Sequence, residues 1–168
     1  MALVIRPETP ADCTAIERVT VAAFRNAPHT GHTERFIVGA LRRAGQLAVS
    51  LVAQEGERIV GHVAVSAVTI SSRETDWYGL GPISVLPECQ DRGIGSRLIE
   101  AALAELRRLG AAGCVVLGDP GYYSRFGFVV HAGLVLPGVS SEYFQALSFR
   151  GRWPDGDVSY HEAFNAEE

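Results

Sequence analysis

Between Gly81 and Gly110 a short apolar run, a glycine-bearing turn and a helix-periodic segment follow one another without interruption. Ile83-Ser84-Val85-Leu86 has the composition of a strand, and Pro87 stops it. A polar stretch from Glu88 to Arg92 leads to Gly93-Ile94-Gly95. From Ser96 onward the apolar residues Leu98, Ile99, Ala102, Leu103, Leu106 and Leu109 fall at helical spacing. Arg107 and Arg108 in the last turn, followed by Gly110, mark the end of that helix. A strand feeding a glycine turn and a helix start is an anion site. Glycines permit close approach of the backbone, and the first helical N–H groups have no intrahelical partner. Arg92 and Arg97 add positive charge, so the spacing predicts a bound phosphate.

The kind of phosphate turns on details. A nucleoside-triphosphate P-loop needs a lysine, and all 15 basic residues here are arginine. A dinucleotide fingerprint needs a third glycine where this chain has Leu98. What remains is Gln90-Asp91-Arg92-Gly93-Ile94-Gly95, a Q/R-x-x-G-x-G/A pattern. It resembles the coenzyme-A pyrophosphate loop of the GNAT N-acetyltransferases. Downstream, Tyr122-Tyr123-Ser124-Arg125-Phe126-Gly127-Phe128 resembles the Y-x-x-x-G-F signature that closes the GNAT catalytic core. The two motifs stand in the family's order and spacing. Ile59-Val60-Gly61-His62-Val63, Leu80-Gly81-Pro82, Leu117-Gly118-Asp119-Pro120 and Val158-Ser159-Tyr160-His161-Glu162-Ala163-Phe164 are similar to the YhbS-like branch of the family. The resemblance thus covers nearly the whole chain.

Bulk properties predict a soluble globular domain. A chain of 168 residues with 47% hydrophobic content is expected to form one domain spanning 1–168. A net charge of -4 gives no basis for nucleic-acid or anionic-membrane partners. Cys13, Cys89 and Cys114 lack metal-site spacing, which predicts no metal and fits a reducing, cytoplasmic setting. The missing lysines exclude Schiff-base and pyridoxal-phosphate chemistry on this chain.

Read in order, Leu3–Arg6 is a strand. Thr9, Pro10 and Asp12 start a helix whose apolar face is Ile16, Val19, Thr20 and Ala23. A second helix is expected over Glu34–Arg43. Leu47–Ala53 and Ile59–Ile70 form an antiparallel hairpin, and Trp77–Leu80 re-enters strand. Gly113–Leu117 is a buried strand reached through the helix, hence a parallel βαβ crossover. Tyr122–Phe126 suits one or two helical turns. Further strands are expected at Gly127–His131, Phe144–Phe149 and Val158–Phe164.

The resemblance implies a mixed α/β GNAT acyltransferase fold. Its central, mostly antiparallel sheet would carry one parallel crossover and splay between the two central strands, with helices on its faces. It further implies an acetyltransferase that moves the acetyl group of acetyl-CoA to a primary amine by direct attack. The contrasting expectation for the same fold is a non-catalytic acyl-CoA-binding sensor or scaffold. The cofactor arm would enter the gap beside Ile83, Ser84 and Val85, where a bulge leaves a backbone N–H of Val85 or Ser84 free to polarise the thioester. The pyrophosphate would lie on the N–H groups of Arg92, Gly93, Ile94, Gly95 and Ser96, with Gln90 and Asp91 of the same motif also binding the cofactor. Tyr123 aligns with the tyrosine that many family members use to protonate the departing thiolate, the alternative being an aromatic packed beside Phe126 and Phe128, and Tyr122 reads as packing or a substrate wall. Many relatives have an asparagine near Gly118-Asp119. Asp119 stands there as a cofactor contact or as a helix cap. Arg125 stands equally as a phosphate contact or as an exposed helix charge. No general base is assigned: Glu88, His62, Asp76, His29, His32 and Glu34 are candidates of equal standing. The acceptor, a small-molecule, peptide or protein amine, has no diagnostic motif, and the expected assembly is a monomer or homodimer.

Overall fold

The computed structural model describes residues 2–25 and 32–167. Six strands form the main sheet: β1 (Leu3–Pro7), β2 (Leu47–Glu55), β3 (Arg58–Ala67), β5 (Trp77–Val85), β6 (Gly113–Leu117) and β8 (Phe144–Ser148). Neighbours pair antiparallel except β5 and β6, which run parallel and are joined by α3 (Ile94–Arg108). A smaller sheet takes β4 (Thr69–Ile70), β9 (Gly156–Ser159) and β7 (Leu134–Val135) in that order, with β7 and β9 parallel. The remaining helices are α1 (Cys13–Phe24), α2 (Glu34–Arg43) and α4 (Pro120–Tyr123).

Local chemistry explains the boundaries. Asp12 accepts the Thr9 backbone N–H at 2.7 Å and takes both arms of the Arg6 guanidinium, at 2.8 and 3.0 Å. One carboxylate therefore closes the helix start and ties it to β1. The Arg6 bonds hold Asp12 far below the usual carboxylate range, against the opposing effect of burial. At its far end α3 stops in a left-handed Gly110 (φ 81°), with Ala111 N–H reaching back to Leu106 O at 3.0 Å.

α3 buries Leu98, Ile99, Ala102, Leu103 and Leu106 against Val49, Leu51, Val63 and Val65 of the sheet. Each fully buried Leu or Ile contributes about 1.5–3 kcal/mol. The opposite sheet face takes α1 and α2, through Ile16 and Val38 on Val52. Gly61 marks the α3 side: a Cβ there would meet Leu98 at 3.0 Å.

Three expected strands differ. Ile59–Ile70 is two strands, because Val68 bonds its N–H to Trp77 O (3.0 Å) and Thr69–Ile70 turn away to pair with Val158 and Ser159. Gly127–His131 is no strand: the segment makes a single bridge, Val129 to Ala146, on the edge of β8. Val158–Phe164 ends as a strand at Ser159, because His161 Nδ1 accepts the Ala163 N–H (3.0 Å) and starts a short 3-10 turn over Glu162–Asn165. Conversely, Trp77–Leu80 and Ile83–Val85 are one continuous strand, β5.

Candidate active site

β5 loses one of its two partners midway. Val63 faces Ile83 and Val65 faces Leu80, so Ala64 alone stands opposite Gly81 and Pro82. That extra residue is a bulge, with Gly81 at φ 138°. Pairing of β5 with β6 runs from Trp77–Gly113 to Leu80–Val116 and stops there. Beyond it the two central strands are splayed, and Ile83–Val85 keep only β3 as a neighbour.

Alternation along the ladder assigns the free groups. Leu86 N–H donates to Val60 O at 2.9 Å, and Val85 faces Gly61. Antiparallel bonds alternate, so Ser84 spends its backbone on β3 while Ile83 and Val85 turn theirs into the gap. Gln90 Nε2 reaches Val85 O at 3.2 Å, in keeping with that assignment. Of the pair considered from sequence, Val85 has the N–H available to a thioester.

Ahead of α3 the turn is built from two left-handed residues, Asp91 (φ 62°) and Gly93 (φ 80°). The first intrahelical bond of this turn, Arg97 N–H to Gly93 O, is 3.1 Å. Ile94, Gly95 and Ser96 precede it, and their N–H groups are the ones a helix start leaves for an anion. A cleft of about 590 Å³ opens over this turn. Ile83, Val85, Gln90, Asp91, Gly93, Ile94, Gly95 and Ser96 line it, with Ala23 and Phe24 of α1 and Tyr122 and Arg125 opposite. Eight of the sequence-derived cofactor positions therefore share one cavity wall.

Four others lie elsewhere. Arg92 points away and pairs with Glu55. Asp119 caps α4, accepting the Gly121 N–H at 2.9 Å. Ser84 turns its side chain to the other sheet face, buried and without a partner among the described residues. Tyr123 is buried, edge-on to Tyr122 and Phe128, and its ring rests on Gly118. Burial, helped by Tyr122 and Cys114, pushes its phenol up to about 12, so it stays protonated at neutral pH.

Sequence reading undervalued two residues. Tyr122 lines the cleft, its hydroxyl 3.5 Å from Ser96 Oγ. Arg125 stacks its guanidinium 4.6 Å over the Tyr122 ring and is thereby held at the cleft wall.

Candidate bases sort equally clearly. Glu88 is spent in an exposed pair with Arg58. Asp76, at φ 67°, accepts the Ala112 N–H at 2.8 Å through its carbonyl and serves the turn before β5. His32 and Glu34 line a small separate cleft beside Phe24, and His29 lies outside the described residues. His62 is fully buried on β3. No group of His, Cys, Asp and Glu among the described residues is arranged to hold a metal.

The acetyltransferase (GNAT) domain family model matches residues 46–130, the span from β2 through the tyrosine motif. The chain belongs to the GNAT acetyltransferase family. YhbS of Escherichia coli K12, described as an uncharacterized N-acetyltransferase, is 32% identical over 97% of this chain and 99% of its own. A GNAT family acetyltransferase from Brucella melitensis, solved in complex with acetyl-CoA, superposes with a TM-score of 0.88 at 49% identity. The match covers 97% of this chain and 98% of that one. The structure of E. coli YhbS in complex with CoA gives a TM-score of 0.84 at 32% identity, over 99% of this chain and 93% of that one. The splayed sheet described above is thus the GNAT fold, reached here through the bulge at Gly81–Pro82.

Proposed function

We propose that this GNAT protein transfers the acetyl group of acetyl-CoA to a primary amine by direct attack, within a single domain spanning 1–168. The observation that carries the proposal is the shared cleft: the open edge of β5 and the first turn of α3 line one cavity. The pyrophosphate lies on the N–H groups of Ile94, Gly95 and Ser96, with Arg125 supplying charge. The pantetheine arm pairs with Ile83 and Val85 as an added strand. Val85 N–H meets the thioester oxygen and stabilises the oxyanion as the amine attacks. Tyr123 donates its proton to sulfur as the C–S bond breaks. The burial that raises the phenol raises a thiolate's basicity alongside it, so the transfer is better matched than the phenol's value suggests. The acetyl-CoA and CoA complexes of the two relatives support the choice of cofactor.

Calorimetric titration with acetyl-CoA, beside NAD and ATP controls, tests binding, and thiol release across a panel of primary amines tests transfer. Saturable binding of acetyl-CoA alone with amine-dependent thiol release is the expected result. Binding with no thiol release for any amine would overturn the transferase reading and leave a binding module.

A further inference from the structure

The proposed mechanism leaves the amine's proton unassigned, and the sheet face opposite α3 holds a buried polar thread that it does not use. Glu8, just after β1, takes Arg42 of α2 in a two-armed pair, both contacts 2.9 Å. Its Oε1 also accepts the Ser50 hydroxyl in a short bond. Ser50 Oγ lies 2.8 Å from Nε2 of His62. Burial alone would raise the Glu8 carboxyl, but the bonds from Arg42 and Ser50 outweigh it and lower the pKa. Glu8 is therefore ionised and only accepts.

The proton positions follow. Ser50 must donate to Glu8, so its oxygen accepts from His62, and Nε2 carries the hydrogen. Nδ1 is then a bare lone pair. It is fully buried and has no partner among the described residues. Directly opposite His62 in the β3–β5 register stands Ser84, whose hydroxyl is also buried and unpartnered among the described residues. Residues so paired hold their Cβ atoms about 5 Å apart on one face. Two orphaned polar groups, an acceptor and a donor, thus share one sheet face at neighbouring positions, beneath the part of β5 that β6 leaves open. Buried orphans of this kind cost about 1–3 kcal/mol each. At the other end, Glu8, Arg42 and Ser50 line a surface cleft of about 340 Å³.

We infer that Ser84, His62, Ser50 and Glu8 form the exit path for the proton that the acceptor amine loses, an inference that rests on the acetyl-CoA reading above. The amine nitrogen bonds to the thioester carbon, and the C–S pair leaves on sulfur, which takes the Tyr123 proton. The nitrogen gives its proton to Ser84 as Ser84 passes its own to His62 Nδ1. The Nε2 hydrogen moves to Ser50, the Ser50 hydrogen to Glu8, and Glu8 returns it to solvent. Tyr123 recovers a proton from solvent, and the imidazole tautomer resets before the next turnover. His62 is a carrier and not a store. Burial, with Arg42 adding to it against Glu8, holds it down to about 4.

The test is nitrogen NMR of histidine-labelled protein, with a His62→Gln spectrum for assignment. Free protein is expected to show His62 bare at Nδ1 and protonated at Nε2. CoA alone leaves these resonances in place. A bisubstrate adduct, n-butylamine joined through an acetyl bridge to the CoA sulfur, moves Nδ1 toward the protonated range. Ser50→Ala, at a half-buried position, weakens adduct binding about tenfold with CoA affinity unchanged, and Ser50→Thr restores it. If CoA binds while the adduct leaves His62 silent, or if free His62 carries its hydrogen on Nδ1, the relay is wrong and the transferase reading stands. Failure of CoA to bind overturns both.

Discussion

The ring of Tyr123 lies on the bare backbone of Gly118: a Cβ built on that glycine would sit 2.5 Å from Tyr123 Cε2. The glycine is there for room, and the room sets where the phenol points. Gly118→Ala is expected to displace the ring and cut kcat by about tenfold or more, with a stability loss of about 1–3 kcal/mol from overpacking. Thiol-release kinetics and urea melts on the same variant check both parts.

Tyr123→Phe separates chemistry from packing. The aromatic contacts to Tyr122 and Phe128 survive, and no hydrogen bond of the hydroxyl is lost among the described residues. Stability is expected within about 0.5 kcal/mol of the parent, acetyl-CoA affinity nearly unchanged, and kcat lower by about 100-fold. Unaltered kcat would remove Tyr123 from the proton-donor role.

A branched side chain at Gly95 enters the cofactor cleft, where a Cβ already comes within 3.2 Å of the Tyr122 hydroxyl. Gly95→Val is expected to weaken acetyl-CoA by at least about tenfold with the thermal midpoint little changed. Gly93→Ala acts differently: at φ 80° the added Cβ costs about 1–2 kcal/mol of backbone strain. Calorimetry and thermal melts tell the two apart.

Stability should fall with acidity in two windows. His62 is held near 4, against 6.5 for an ordinary histidine. Between those values the unfolded chain takes a proton that the folded one refuses, so stability is lost as pH falls through the window, by up to roughly 3 kcal/mol. Asp12 is depressed, so its contribution is intact above about pH 4 and is lost only below. Urea melts of the parent and of His62→Gln between about pH 7.5 and pH 3 check this. The variant should lose the first slope and keep the second.

What the sequence disclosed depended on whether the determining interactions were local. Glu34–Arg43 and Gly113–Leu117 match their helix and strand residue for residue, because amphipathic period and apolar run length are local signals. The phosphate turn was legible for the same reason. The break at Val68 was not, since only Val158 and Ser159, some 90 residues on, give Thr69 and Ile70 a different sheet. The single bridge at Val129 reflects a pairing with β8 that stops after one residue, and nothing in Gly127–His131 signals that. Arg92 is paired with Glu55, 37 residues earlier, a contact that no local spacing announces. Glu8 comes from the loop after β1, and Arg42, Ser50 and His62 from α2, β2 and β3, so no spacing along the chain announces their contact.

Because β5 has a closed half and an open half, its backbone should report cofactor occupancy without any assay of chemistry. In amide hydrogen exchange on the free protein, Ser84 exchanges slowly while Ile83 and Val85, on either side of it, exchange fast. An added strand of pantetheine in the gap would slow those two and leave Ser84 as it was. One three-residue stretch would then serve as an internal gauge, its middle amide the reference and its flanks the signal.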